Sequence, residues 1–360
     1  MSDEDLAKDL GPLAALTIGV GTMIGAGIFV LPGIAAGRAG PIVALSFVVG
    51  GVISLFTALS ASELGTAMPR AGGAYYYVNH ALGPLFGSIA GLGNWMGLAF
   101  ASAFYMLGFG SYVVTFLPVP AVPLGLVTIT DTQVAALLAG AFFVAVNYVG
   151  AKETGRLQNV IVVSLLAILT VFSVLGFLQA DLSTLRPVAP KGWGPLLPGT
   201  ALIFVSYLGF VQITTVGEEI KNPGRNLPLA MIAAVVTPTI LYVGVMFVST
   251  GTISLDVLAN SEVPVKIVAE EILPGFASVV PGVSPSLLAA AGGTVMILGA
   301  VLATISSANA SILSAARVNF AMGRDKILVE WLNEVHDRFR TPYRAITVTG
   351  IITLVLIGVG

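Results

Sequence analysis

Four glycines within nine residues, Gly19, Gly21, Gly25 and Gly27 in LTIGVGTMIGAGIFVLPG, give this chain its first chemical signal. A helix running through them loses roughly 0.8–1 kcal/mol per glycine relative to alanine. Local unwinding is therefore expected, provided that the freed amides line a cavity. A half-helix starting near Ala26 would offer free N–H groups and a positive dipole end to an anion such as a carboxylate. Freed carbonyls beside it would take an ammonium group or a cation. A second segment, FVSYLGF (204–210), holds Gly209 and is followed by Gln212, Thr214 and Thr215. Paired interrupted helices at matching positions of two halves mark the midplane site of a transporter. A site that accepts both signs suits a zwitterion. The competing reading of the glycines is close helix packing, as in small-xxx-small patterns.

Other chemistries are poorly supplied. The chain has no cysteine, so it has no disulfide framework, no Cys-ligated metal and no thiol nucleophile. Its two histidines, His80 and His336, make a two-His metal motif untenable, and HExxH, GxSxG and P-loop patterns are absent. An enzyme is not expected, nor any cofactor. Glu63 stands near the end of an apolar run close to Arg70, where a carboxylate is a functional suspect. It is expected to pair with a basic residue of the inner loops and latch a gate there. His80, after Tyr75, Tyr76 and Tyr77, is expected in a polar loop. Glu218, Glu219, Lys221 and Arg225, with Arg317 and Arg324, are expected as solvated charges that set topology.

The elements that must position the glycines are membrane spans. Charged residues are 9% of 360, against about 25% in soluble domains, and apolar residues are 56%. With a mean hydropathy of +0.96 the chain is a polytopic membrane protein. A net charge of −2 leaves no basic footprint for nucleic acid. The start MSDEDLAKDL is acidic and lacks a signal peptide's positive region, so residues 1–11 are expected as a short cytoplasmic tail. Nine spans are expected near 12–36, 41–64, 84–116, 132–150, 158–179, 196–217, 228–250, 286–320 and 345–360. One span in each long apolar stretch, with the N-terminus inside, places twelve Lys and Arg in the cytoplasm and only Arg38, Arg186, Lys191 and Lys266 outside. Splitting either long stretch inverts that balance. Leu328, Trp331, Leu332, Val335 and Phe339 recur at helical spacing, which predicts an amphipathic interfacial helix. The segment 254–274 is expected to hold a short capping helix.

Interrupted spans 1 and 6 each open a group of five, which predicts an inverted repeat. Its first unit runs over about 12–180 and its second over about 196–360, within one transmembrane domain, 12–360.

Four segments carry a family resemblance: GTMIGAGIFVLPG (21–33), SELGTAMPRAGGAYYYV (62–78), YLGFVQITTVGEEIKNPGRNLP (207–228) and SILSAARVNFAMGRDKILVEW (311–331). With them the chain resembles the amino acid–polyamine–organocation (APC) superfamily, as a permease of the prokaryotic amino acid type. The resemblance implies an all-α integral membrane protein with the LeuT-type five-plus-five inverted-repeat fold. Family members typically have twelve helices, so the chain is expected to stop within the ninth. It implies secondary active transport of an amino acid by alternating access, in the plasma membrane. An amino acid or amine exchanger or a polyamine transporter of the same superfamily is the alternative, and a membrane sensor or channel the remoter one.

Residue by residue, the resemblance assigns the substrate carboxylate to main-chain groups of Gly25, Ala26 and Gly27. It assigns the amino group to carbonyls of Met23, Val205, Ser206 and Leu208, with Tyr207 and Phe210 shaping or gating the pocket. Val211 stands where many relatives carry an acidic residue, which weakens a cationic substrate. Proton-coupled members carry a lysine in span 5 where this chain has Leu165, beside Ser164. Sodium-coupled proteins of the fold bind Na⁺ between spans 1 and 8. Here Gly21 and Ile24 would supply carbonyls and Ser306 and Ser307 hydroxyls, hard oxygens suited to such an ion. Coupling to Na⁺, or no coupling, is expected over H⁺ coupling through span 5. No other metal site is expected.

Overall fold

The computed structural model describes residues 6, 8–25, 27–114, 117–124, 127–180, 186–261, 263–279 and 282–360. Span 1 is two helices. α1 (Pro12–Met23) begins with Pro12 in its first turn, where the missing N–H costs nothing. It ends at Ile24, whose φ of −84° and ψ of 74° belong to an inverse γ-turn, and the Gly25 N–H donates to the Met23 carbonyl at 3.0 Å. α2 (Gly27–Ala39) then continues towards the opposite end of the bundle.

α3 (Val43–Ala67) returns to the end that holds the N-terminal tail, here called the tail face. There α4 (Ala74–Leu82) lies between spans. α5 (Pro84–Val113) leads to a small antiparallel hairpin, β1 (Val122–Leu124) and β2 (Val127–Ile129). α6 (Asp131–Val149) opens with a capping box, Thr130 and Gln133 exchanging backbone and side-chain bonds. α7 (Ala151–Gln179) completes the first five spans.

Span 6 starts as α8 (Leu196–Ile203) and continues as a 3₁₀ helix over Phe204–Glu219. Runs of 3₁₀ beyond three or four residues are uncommon, and a long one marks strain or a hinge. Span 6 is therefore tightened over its whole second half, rather than unwound around Gly209 alone. α9 (Pro223–Thr252) follows, then the two short helices α10 (Leu255–Asn260) and α11 (Pro264–Ile272) on the face opposite the tail. α12 (Pro285–Arg324) and α13 (Tyr343–Val359) end the described chain. Seven described helices, some joined across short turns, are long and apolar enough to cross a membrane, and α1 and α13 are shorter apolar helices.

α12 is the axis of the bundle. Residues 306–323 are buried on every side, against α1, α5, α7, α13 and the 3₁₀ segment. A helix buried all round is normally apolar. This one carries Ser306, Ser307, Asn309, Ser311, Ser314, Arg317 and Asn319, so its polar groups must be satisfied from its neighbours. Outward faces of the spans expose large apolar side chains such as Phe56, Phe104, Leu138 and Ile240, an apolar surface that suits lipid.

The amphipathic helix expected over 328–339 does not form. A short 3₁₀ turn, Glu330–Asn333, is followed by turns in which His336 Nδ1 accepts the N–H groups of Arg338 and Phe339 at 3.2 and 3.4 Å. Local side-chain bonds of this kind compete with helix formation. Leu332 and Val335 are buried, while Trp331 is half exposed and carries Arg344 over its ring at 4.9 Å.

Candidate functional site

The break in span 1 meets the 3₁₀ segment at a glycine. A Cβ on Gly209 would lie 2.5 Å from the Met23 nitrogen and the Thr22 carbonyl carbon, so only a glycine lets the two backbones touch. The Thr22 hydroxyl reaches across to the Gly209 carbonyl at 3.0 Å. Tyr242 of α9, fully buried, donates to the Met23 carbonyl at 2.7 Å and also faces the Ser206 carbonyl at 3.4 Å. One phenol therefore ties both broken elements together. Gly25 faces Tyr105 of α5 and Ser307 of α12, each about 3 Å from where a Cβ would stand.

This arrangement sorts the residues picked from the sequence. Met23, Gly25 and Ser206 converge on the break, and Gly27 opens α2 beside it. Ala26 lies outside the described residues. Val205 belongs to the 3₁₀ segment, as does Leu208, which is 52% exposed and points away from the crossing. Tyr207 is fully buried, and its hydroxyl donates to the Phe47 carbonyl of α3 at 2.8 Å. It anchors span 6 to span 2 rather than hanging over a pocket. Phe210 is buried as well. Tyr242, Tyr105 and Thr22 escaped the sequence reasoning. The available signal was a phenol inside the apolar run ILYVGV, since a buried tyrosine hydroxyl needs a partner.

Beside the break runs a buried polar chain across four helices. Asn147 of α6 donates to Asn309 Oδ1 of α12 at 2.9 Å, and Asn309 donates to Gln158 Oε1 of α7 at 2.8 Å. Gln158 Nε2 donates to Ser306 Oγ at 2.9 Å, the Ser306 carbonyl at 3.2 Å and the Thr17 carbonyl of α1 at 3.3 Å. Ser307 donates to the Gly21 carbonyl at 2.6 Å. Both serines thus reach other helices instead of bonding back along α12. Ile24 is buried at the same level. Leu165 is buried and Ser164 exposed, so no titratable group enters from the middle of α7.

The tail face carries the charges, and they are not all solvated. Glu219 and Arg317 are buried and paired by two bonds, Nε to Oε1 at 2.7 Å and Nη2 to Oε2 at 3.1 Å. Arg324 pairs with Glu218, which also accepts the Ala71 N–H at 3.0 Å. The N-terminal segment closes over this pair. Leu10 N–H donates to the Glu219 carbonyl and Lys221 N–H to the Leu10 carbonyl, a parallel bridge to Ile220. Leu6 packs into a cluster with Ala71, Phe320, Val335 and Ala345. Glu63 is exposed and forms no ion pair with another described residue. The buried ion pair on this face is instead that of Glu219 and Arg317, which face each other across the 3₁₀ segment and α12. His80 sits at the end of α4, exposed and stacked on Tyr76.

Tyr75 and Asn79 of α4 both donate to Asp325 Oδ2, at 2.8 and 3.3 Å. Burial, then the bond to Asp325, pushes the Tyr75 phenol well above its usual range, and burial pushes Tyr77 up to about 12. Among the described residues no three His, Asp or Glu side chains converge on a metal-sized site.

A family model described as amino acid permease matches residues 10–360. The branched-chain amino acid permease BcaP of Bacillus subtilis is 29% identical over 98% of this chain and 75% of its own length. The methylthioribose transporter of the same organism is 29% identical over 99% and 76%. Its serine/threonine exchanger SteT is 26% identical over 98% and 77%.

Proposed function

The chain belongs to the amino acid permease family, and from that premise we propose that it carries an amino acid across the plasma membrane by alternating access. As a family member it is a multi-pass membrane transporter of the APC superfamily with the LeuT-type fold, and not an enzyme. The observation that carries the finer reading is the crossing of the interrupted first span with the 3₁₀ half of the sixth at Gly209. There the N-terminus of α2 and the main-chain carbonyls of the 3₁₀ segment stand beside one break, a pairing that suits the carboxylate and ammonium groups of one zwitterion.

In this reading the carboxylate is taken by main-chain groups of Gly25, Ala26 and Gly27. The ammonium is taken by carbonyls of the 3₁₀ segment, those of Val205, Ser206 and Leu208 as the spans separate. Met23 is a weaker partner in this state, since its carbonyl already accepts from Gly25 and Tyr242. Tyr105 and Ser307 stand where the substrate side chain or carboxylate would pass Gly25. The first five spans, about 12–180, rock against those of about 196–360. Glu219 and Arg317 close the inner side, which is the tail face, with the N-terminus in the cytoplasm.

Relatives named for branched-chain amino acids, for serine/threonine exchange and for methylthioribose point to a pocket whose side-chain half varies. Exchange is the second mode, favoured by the name of the serine/threonine relative alone. The deciding measurement is uptake into proteoliposomes of labelled leucine, serine, arginine and methylthioribose, with and without unlabelled amino acid inside. Saturable uptake of an amino acid is expected, and Val211 predicts that arginine is the poorest. Non-saturable flux, or uptake of methylthioribose alone, would overturn the proposal.

A further inference from the structure

The place expected for a coupling cation does not offer a cation's ligands. Gln158, fully buried, sends its Nε2 into the gap between α1 and α12. The carbonyls of Thr17 and Ser306 can only accept, so they fix which end of the amide points there. Asn309 holds the other end by donating to Oε1, and Asn147 holds Asn309 in turn. Asn147 and Asn309 both donate towards Gln158, so the group presented between α1 and α12 is an N–H₂ with its hydrogens already placed. Ser306 Oγ is taken by the same amide. A Cβ on Gly21 would collide with Gln158 Nε2 and with Ser306 Oγ, so that glycine is the clearance the amide needs. Hard cations need several lone pairs directed at them. Of the four expected donors Ser306 Oγ is held by the amide, and Gly21 O and Ser307 Oγ are bonded to each other. The Ile24 carbonyl is the one left over, too few for such an ion.

We infer that Gln158 is a positioning residue that holds α1 against α12 from the place assigned to a coupling cation, so that transport here uses no Na⁺ at that place. This rests on the alternating-access reading. The amide does with two N–H groups what a bound cation would do with its charge: it bridges carbonyl and hydroxyl oxygens of spans 1 and 8. Unlike an ion it cannot leave, so the closed arrangement of α1 is favoured whether or not Na⁺ is present. None of the side chains of Thr17, Asn147, Gln158, Ser306 and Asn309 titrates near neutral pH, so the chain of bonds offers no proton-driven step either.

The test is thermal unfolding of the purified protein in NaCl and in choline chloride at equal concentration, where an ion bound only by the folded state raises the midpoint. Equal midpoints are expected for the unmodified protein. Gln158→Glu replaces the donor by two oxygens beside Ser306 and should gain a midpoint rise specific to Na⁺, a response that loss of packing alone would not produce. If Gln158→Glu does not fold, labelling of a single Ser314→Cys in this cysteine-free chain supplies the second arm. Gln158→Leu should raise its labelling rate severalfold, with no slowing by Na⁺. A Na⁺-specific midpoint rise in the unmodified protein overturns the inference. So does leucine or serine uptake that collapses when choline replaces Na⁺. Failure to take up any amino acid instead overturns the functional reading, while the unfolding comparison still decides this one.

Discussion

Gly209 is the residue on which the crossing of the two interrupted spans depends. Gly209→Ala would set a methyl 2.5 Å from the backbone of α1, and backbone cannot swing aside as a side chain can. Uptake should fall by more than tenfold while the protein still reaches the membrane, measured as initial rate per mole of protein. Tyr242→Phe keeps the ring but removes the donor to Met23 and Ser206. The Met23 carbonyl keeps Gly25 as a partner, so the loss is one net hydrogen bond of about 1 kcal/mol, and uptake should drop roughly fivefold. Unchanged kinetics in Tyr242→Phe would show that the tie does not shape the site. Glu219→Gln leaves the Arg317 guanidinium buried without its carboxylate. Removal of one member of a buried pair costs about 3–5 kcal/mol, and the melting midpoint in detergent should fall accordingly. The glycines of span 1 were legible in the sequence because a cluster of glycines in an apolar run has few uses. Tyr242 and Gln158 were not, because a lone polar residue in a span acquires its meaning only from what stands opposite.

At the scale of elements, composition and charge were enough for most spans, since a bilayer demands long apolar helices whatever their neighbours. The break in span 1 fell within one or two residues of where the glycines put it, at Ile24 and Gly25. Span 6 differed. Only tertiary contacts select i→i+3 over i→i+4 bonding, here through Tyr207 held to Phe47 and Gly209 held to α1. The region 328–339 misled for a similar reason, because helical spacing of apolar residues does not register the backbone bonds of His336. α4 gives a testable pH response. Its Tyr75 and Tyr77 have phenols raised by burial, so the folded state keeps protons that the unfolded chain gives up near pH 10. Stability from this docking is full below about pH 10 and declines as pH rises through the folded values. Tyr75→Phe should flatten that decline and cost about 1 kcal/mol at neutral pH, read from melting midpoints across pH 8 to about 11.

For the whole molecule, the charge distribution makes a topological prediction that the absence of cysteine renders easy to check. Lys326, exposed on the tail face, and Lys191, exposed on the other, each become a single reporter when replaced by cysteine. In intact cells a membrane-impermeant maleimide should label Lys191→Cys and spare Lys326→Cys. The reverse pattern would invert the bundle. The buried Glu219–Arg317 pair, the Arg324–Glu218 pair and the α4–Asp325 contacts all lie on one face, and in the proposed cycle these are the contacts that must break for that face to open. The charges there were legible as topology signals. Their burial was not, because it arises from the 3₁₀ segment bringing Glu219 under Leu10.

The bridge between Leu10 and Ile220 joins positions 210 residues apart. A ribosome adding about 5–20 residues per second needs about 10–40 s to make the second after the first. Throughout that interval Leu10 lacks the backbone it bridges, and although Ala71 and Gly155 beside the tail are made early, the partners of Leu6 in α12 and α13 come later still. The tail can dock only after nearly all the described chain has been made and inserted. Its docked state is therefore a marker that the described spans have come together, one that a protease able to cut the undocked tail would read.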